Sequence, residues 1–199
     1  MGATQRSNDS RLEIVRAAGR VLRDLGLHGL RVRDVAAAAG MSPGSVMYHF
    51  PTTDDLLLAV HVDAQQRYLE LRQQAVHSPG SAWSRLIDAF KVGLPPFSDN
   101  ALIELLFEMH GLTRRSSRHA VLLSRLWEEE VALTLHLVRT GSDAGEFAVS
   151  DPSGAARSLV ALEDGIALHL VSQNDALSGS TGLETFTRAA TAILGRTES

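Results

Sequence analysis

The stretch from Arg31 to Phe50, RVRDVAAAAGMSPGSVMYHF, is where residue types and spacing point to chemistry. It reads as two short helices joined by a tight turn. Val35 and the alanines give the first helix a slim apolar face that permits close approach. Gly40 supplies a left-handed backbone conformation that a Cβ disfavours, and Met41 can fill the space between the helices. Ser42 is a natural N-cap and Pro43 a natural first residue for the second helix. Val46 and Phe50, four apart, share the face that anchors this helix inward. Ser42, Gly44, Ser45, Met47, Tyr48 and His49 are left facing outward or sideways. Small residues at the helix start let its backbone approach base edges. A short helix presented in this way is the geometry that enters the major groove of DNA.

Other chemistries find little support. The eight histidines are scattered, and no pair sits in HExxH order. The chain has no cysteine, which excludes a disulfide framework and any thiolate metal site. Ser84, Ser124 and Ser158 fall in helical patterns and not on a nucleophile elbow. The glycines form no phosphate loop. Glu128-Glu129-Glu130 reads as a solvated helix edge, with the alternative that one of them faces a pocket and favours a cationic ligand. No enzyme, no metal and no cofactor is expected.

The elements around the motif are helical throughout. Strand-like alternation is nearly absent, so an all-α fold of about nine helices is expected. Helix one is expected from about Arg11 to Leu25, stopped by Gly26, with Ile14, Ala18, Val21, Leu22 and Leu25 on one face. Helices two and three cover about Val32–Ala39 and Pro43–Phe50, and Pro51 ends the latter. Thr52 or Thr53 caps helix four, which carries Asp54 and Asp55 in its first turn and runs to about Val76. Five helices follow: about Ser81–Val92, Asp99–His110, Ser116–Thr140, Asp151 to Ser172, and Leu183–Leu194. Residues 141–145 and 174–182 read as loops.

Charge is divided along the chain, whose net charge is −4. Residues 1–50 hold seven arginines against four acids, a net +3, and the rest holds twelve basic against nineteen acidic residues, a net −7. Polyphosphate attracts the first part and repels the second. The polar start, Met1 to Asn8, has no apolar signal-peptide core. No apolar run approaches the roughly 18–20 residues that span a bilayer. No membrane partner and a cytoplasmic location are expected.

The segment LEIVRAAGRVLRDLGLHGLRVRDVAAAAGMSPGSVMYHFPTTDDLLLAV resembles the TetR (tetracycline-repressor) family of bacterial regulators over about residues 9–60. The order matches: amphipathic helix, glycine turn, helix-turn-helix ending in aromatic-His-Phe, acid-led fourth helix. The resemblance implies that Tyr48 and His49 contact phosphate. It places Ser42, Pro43, Gly44, Ser45 and Met47 at the groove, and has Thr52 and Thr53 clamp the backbone. Two positions depart from the pattern. Arg31 stands where the family has a threonine, and its charge, with that of Arg33, can take over a phosphate contact. Thr53 stands where a lysine is common and offers only a neutral hydrogen bond, weaker than a charge-assisted one.

The resemblance further implies two units, a DNA-binding head over 9–55 (helix-turn-helix about 31–50) and a ligand-binding and dimerisation body over 56–199. An effector cavity among helices four to eight is implied, with His61, Phe90, Phe107, Met109, His110, Trp127, Val131 and His169 as candidate lining and an apolar or amphipathic effector. Helix eight is apolar on two faces and carries Asp164-Gly165 mid-helix. Paired with helix nine it is the implied dimer element, through Leu159, Leu162, Ile166, Phe186 and Ile193. The expected function is a ligand-responsive repressor that binds a palindromic operator on double-stranded DNA as a homodimer.

Overall fold

Caps and glycines set the helix boundaries in the computed structural model, which describes residues 2–196. Met1 and residues 197–199, the latter the end of the expected body unit 56–199, lie outside the described residues. In chain order the helices are α1 (Gly2–Gly29), α2 (Val32–Ala39), α3 (Pro43–His49), α4 (Thr53–Val76), α5 (Ala82–Val92), α6 (Asn100–Thr113), α7 (Ser117–Asp143), α8 (Pro152–Val171) and α9 (Gly179–Ile193). A 3-10 turn, Pro95–Phe97, joins α5 to α6. No strand occurs among the described residues, as an all-α fold requires. Side-chain oxygens of Ser42, Thr52, Ser81, Asp99, Asp151 and Ser178 accept from the backbone N–H three residues on. Each such cap contributes about 1 kcal/mol.

Three boundaries differ from the expectation. Helix α1 begins at Gly2, well before Arg11, because its first turns are polar and carry no apolar period to read. Gly26 does interrupt it, at φ 67°, and one further turn follows. Helix α7 runs through Gly141 to Asp143 where a loop was expected. Gly141 is buried against the Phe147 ring, which leaves no space for a Cβ. That glycine serves close packing and not a turn. Helix α9 starts at Gly179, earlier than Leu183, on the Ser178 cap.

The first core joins head to body. Ile14, Ala18, Leu22, Val35, Val46 and Phe50 pack with Leu56 and Val60 of α4, and the same cluster continues into Leu102, Ile103, Leu106 and Met109 of α6. A second cluster holds Phe90, Leu94, Leu137, Phe147, Leu159, Ile166, Phe186 and Ala190. Full burial of each large apolar side chain contributes about 1.5–3 kcal/mol. Helix α4 thus belongs to the head at its start and to the body at its end. Among the described residues no helix is long and apolar enough to cross a membrane.

Candidate functional site

The helix-turn-helix is built as its residues dictate. Gly40 ends α2 in the left-handed region at φ 64°, and its N–H and that of Met41 close on α2 carbonyls. Val46 and Phe50 are buried, and this fixes which face of α3 looks out. That face carries Ser42, Pro43, Gly44, Ser45, Met47 and Tyr48, all exposed, with His49 half-buried beside them. Tyr48 is 81% exposed, far beyond what a core tyrosine shows, and its ring meets His49 edge-on at 5.3 Å. A shallow concavity bounded by Ser10, Met41, Ser42, Gly44, Ser45, Tyr48 and His49 lies on this surface.

The two candidate arginines differ in setting. Arg31 donates to the carbonyls of His28 at 2.9 Å and Leu30 at 3.0 Å, so its guanidinium caps the end of α1. Arg33 is 86% exposed and has only a loose ion pair, with its neighbour Asp34 at 3.8 Å. Two contacts not legible in the sequence stiffen the head. Arg20 donates to Ala38 O at 3.1 Å, and the Arg11 guanidinium lies 4.8 Å from the Phe50 ring centre.

Thr52 and Thr53 are exposed at the start of α4. Thr52 accepts from the Asp55 N–H at 3.1 Å and donates to its carboxylate at 2.7 Å. Arg118 of α7 donates to both Asp54 and Asp55. The Thr52 hydroxyl and this guanidinium hold the Asp55 carboxyl below its ordinary range.

One turn deeper, His61 and His119 stack with their Nδ1 atoms 2.9 Å apart, and Gln65 Nε2 lies 3.1 Å from His61 Nε2. The Gln65 amide donates, so His61 carries its proton on Nδ1 and gives it to His119 Nδ1. His119 then presents Nε2–H towards Asp54, 3.9 Å away. Burial and the neighbouring His119 push His61 down to about 4. His61 is therefore a joint between α4 and α7 and does not line a cavity, contrary to the expectation.

The body holds a half-open cavity of about 670 Å³ bounded by α4, the end of α5, α6, α7 and α8. Of the expected lining residues, Phe107, His110 and Trp127 are present. Phe90, Met109, Val131 and His169 are not. Phe90 stacks on Phe186 at 3.5 Å in the second core, Met109 is wholly buried in the first, Val131 is half-buried outside the lining, and His169 is exposed. Beyond the expected lining the cavity takes apolar Ile103, Leu106, Leu126 and Leu168 and polar Tyr68, Glu163 and Asp164, beside Gly93 and Gly165, and Glu128 and Glu130 line it as the alternative reading of that acidic run allows.

Behind this lining, buried Arg72 pairs with Glu163 and donates to Ala89 O at 3.1 Å. Tyr68 donates its one proton to Glu130 at 2.7 Å. Gly93 must be glycine, since a Cβ there would run into the Glu163 carboxylate. Burial pushes the Glu130 and Glu163 carboxyls up, against the pull of Arg72. Asp164 is pushed up to about 7 by burial and by the Glu130 charge.

The expected dimer residues divide. Leu159, Ile166 and Phe186 are within the protomer core, at 1%, 5% and 1% exposure, because their helix faces pack on α5 and α7. All three are core residues of the protomer, contrary to the expectation. Leu162 is half-buried and Ile193 is exposed. The exposed positions of α8 include Ser158, Ala161, Gly165 and Leu168, the last 50% exposed, and Gly165 and Leu168 also border the mouth of the cavity.

A helix-turn-helix head joined by one continuous helix to an all-helical body with a half-open cavity defines a DNA-binding regulator. Residues 14–60 match the model of bacterial regulatory proteins of the tetR family, and residues 85–195 match the C-terminal model of BetI-type transcriptional repressors. The chain belongs to the TetR family. It is a transcriptional regulator and not an enzyme. The HTH-type transcriptional regulator CymR of Pseudomonas putida is 44% identical over 55 residues, 28% of this chain and 27% of that protein, so the match spans about a quarter of the relative. A TetR transcription regulator from Haloarcula marismortui shares the fold at a TM-score of 0.79 and 23% identity, over 94% of this chain and 97% of the other. A transcriptional regulator from Saccharomonospora viridis, solved in complex with choline, does so at 0.81 and 21%, over 94% and 96%. The family binds DNA operators as dimers and takes small-molecule effectors.

Proposed function

We propose that this protein is a repressor that holds a palindromic operator through two α3 helices and is released by a small molecule bound in its body cavity. One observation carries the reading: α4 and α7 each touch both the head and the cavity. Tyr68 near the C-terminal end of α4 lines the cavity, while Thr52, Asp54 and Asp55 stand at its start beside α3. The cavity face of α7 holds Leu123 and Trp127, and the same helix reaches the start of α4 through Arg118.

Residues 9–55 act as the DNA-binding unit and 56–199 as the ligand and dimer unit. Tyr48 and His49 hold phosphate together with Arg33, and Ser45 and Met47 face the bases. Two heads on one dimer must fit successive major grooves, about 34–36 Å apart. A ligand that favours another spacing shifts the population away from the DNA-competent state. The effector is apolar or amphipathic, with Phe107 and Trp127 against its body. The protein acts in the cytoplasm, on the chromosome. The dimer forms on α8 and α9, whose outward face ends in Leu168 and Ile193.

The test is fluorescence anisotropy on the protein's own promoter DNA at several salt concentrations. Tight, salt-dependent binding at a two-fold symmetric site supports the reading. Binding with no sequence preference, or a protein that stays monomeric on the site, overturns it.

A further inference from the structure

The cavity is unusual in what it leaves unpaired. Its buried cation, Arg72, is engaged by Glu163. Glu130 is only 5% exposed, yet its hydrogen bond from Tyr68 serves one carboxylate oxygen, and no partner among the described residues reaches the other. Asp164, half-buried on the next face, has no hydrogen-bond partner among the described residues. Glu128 stands exposed at the rim. One guanidinium thus faces three buried or half-buried carboxyl groups. The remaining wall is aromatic and aliphatic, with Trp127 and Phe107 the large rings.

A neutral occupant would strip water from Glu130 and Asp164 and give nothing back, which is costly for any carboxylate that stays charged. An anion would add repulsion. A metal ion is not favoured, since the described residues contain no group of three or more acidic or histidine ligands set to hold one. A charge carried by an organic body satisfies both halves of the wall, because an aromatic face attracts a cation as well as its alkyl shell.

We infer that the effector is an organic cation, its charge seated between Glu130 and Asp164 and its apolar body against Trp127 and Phe107. This rests on the reading of the cavity as the effector site. The groups that face the bound charge are Tyr68 from α4 with Arg72 behind it, His110 from α6, Glu128 and Glu130 from α7, and Glu163 from α8 beside Asp164 itself. Burial lowers His110, so the imidazole is neutral and does not oppose the cation. Binding favours the ionised carboxylates, and it therefore releases protons near neutral pH.

The experiment compares phenyltrimethylammonium with tert-butylbenzene, its neutral isostere, by calorimetry on the full-length protein in two buffers of different ionisation enthalpy. The cation should bind about tenfold or more tightly than the isostere, a difference of about 1.4 kcal/mol. It should also release protons at pH 7. Asp164→Asn and Glu130→Gln should each erode that preference, and Asp164→Asn should also reduce the proton release. Circular dichroism and the emission of the two tryptophans, Trp83 and Trp127, confirm that the variants are folded. Equal or tighter binding of tert-butylbenzene overturns the inference, as does binding of neither probe, or a cation preference that both variants keep. The wider reading fails by a different result, the loss of specific operator binding in the unliganded protein.

Discussion

Arg118, at the start of α7, donates to Asp55 at 2.9 Å and to Asp54 at 3.2 Å in the first turn of α4. The pair lies in solvent, where an ion pair adds little to stability. Its position gives it another use, because α7 carries the cavity wall five to twelve residues further on and α4 begins beside the DNA-facing threonines. Any shift of α7 reaches the head through this clasp and through the His61–His119 joint beneath it. Replacing Arg118 by Ala is expected to leave the thermal midpoint unchanged and to weaken release of operator DNA by a bound effector. The readout is anisotropy of labelled operator titrated with an effector. Full release with an unaltered midpoint would remove the clasp from the path.

On the head, Arg31 and Arg33 should respond differently. Arg33→Ala should weaken binding to all sequences alike and flatten the dependence of log K on log salt by about one unit. Arg31→Ala removes the cap on the His28 and Leu30 carbonyls as well, so it should lower head stability alongside affinity. Met47→Ala should instead alter which bases are preferred, since Met47 is 56% exposed on the groove face and carries no charge. Binding curves across salt and a randomised operator library separate the three. An Arg33→Ala protein with the parent salt slope would deny the phosphate contact.

For the dimer, the buried and exposed residues of α8 and α9 predict opposite outcomes. Leu168→Arg and Ile193→Arg place a charge on an outward face and should give folded monomers. Leu159→Arg and Phe186→Arg place an unpaired charge in the core, a cost of several kcal/mol, and should unfold the protein. Light scattering with circular dichroism distinguishes the cases. A folded Leu168→Arg, Ile193→Arg double variant that remains dimeric would send the interface elsewhere.

The head was legible because each of its residues answers to a local rule. Gly40 meets a left-handed turn, Ser42 and Pro43 open a helix, and Val46 and Phe50 set its inward face, leaving Tyr48 outside. The cavity was less so, since helical periodicity finds inward positions without saying whether they meet a neighbour or a void. Phe90 and Phe186 were assigned to a ligand and to a partner subunit, and they stack on each other. The usable signal lay in polar residues at inward register. Glu130 follows Trp127 by three and Leu123 by seven, on one face of α7, and Tyr68 and Arg72 are one turn apart on α4. The reading of Glu128–Glu130 as a solvated edge fits the exposed Glu128 and Glu129, and its alternative, a glutamate facing a pocket, fits the buried Glu130 and the rim position of Glu128.

The same carboxyls give stability a dependence on pH whose sign can be worked out. Asp164 rises from an ordinary 3.8 to about 7 in the folded protein. A group whose folded value is raised contributes stability that is fully present below the unfolded value and lost as pH climbs through the folded one. Asp164 should therefore cost the unliganded protein stability progressively between about pH 4 and pH 7. The histidines act the other way. His61, lowered from 6.5 to about 4, contributes stability above pH 6.5 that is lost as pH falls towards 4, and His110 and His119, lowered by burial, add to the loss below pH 6.5. The two slopes oppose over one window, so the parent profile alone is uninformative. Subtraction isolates the carboxyl. Asp164→Asn keeps the shape, cannot ionise and leaves the histidines in place. Its thermal midpoint should match the parent near pH 4, rise above it through pH 7 and hold a constant lead beyond. Two curves that run parallel from pH 4 to 8 would show that Asp164 is ionised at no cost in the folded state, and that the cavity holds no carboxyl waiting for a cation.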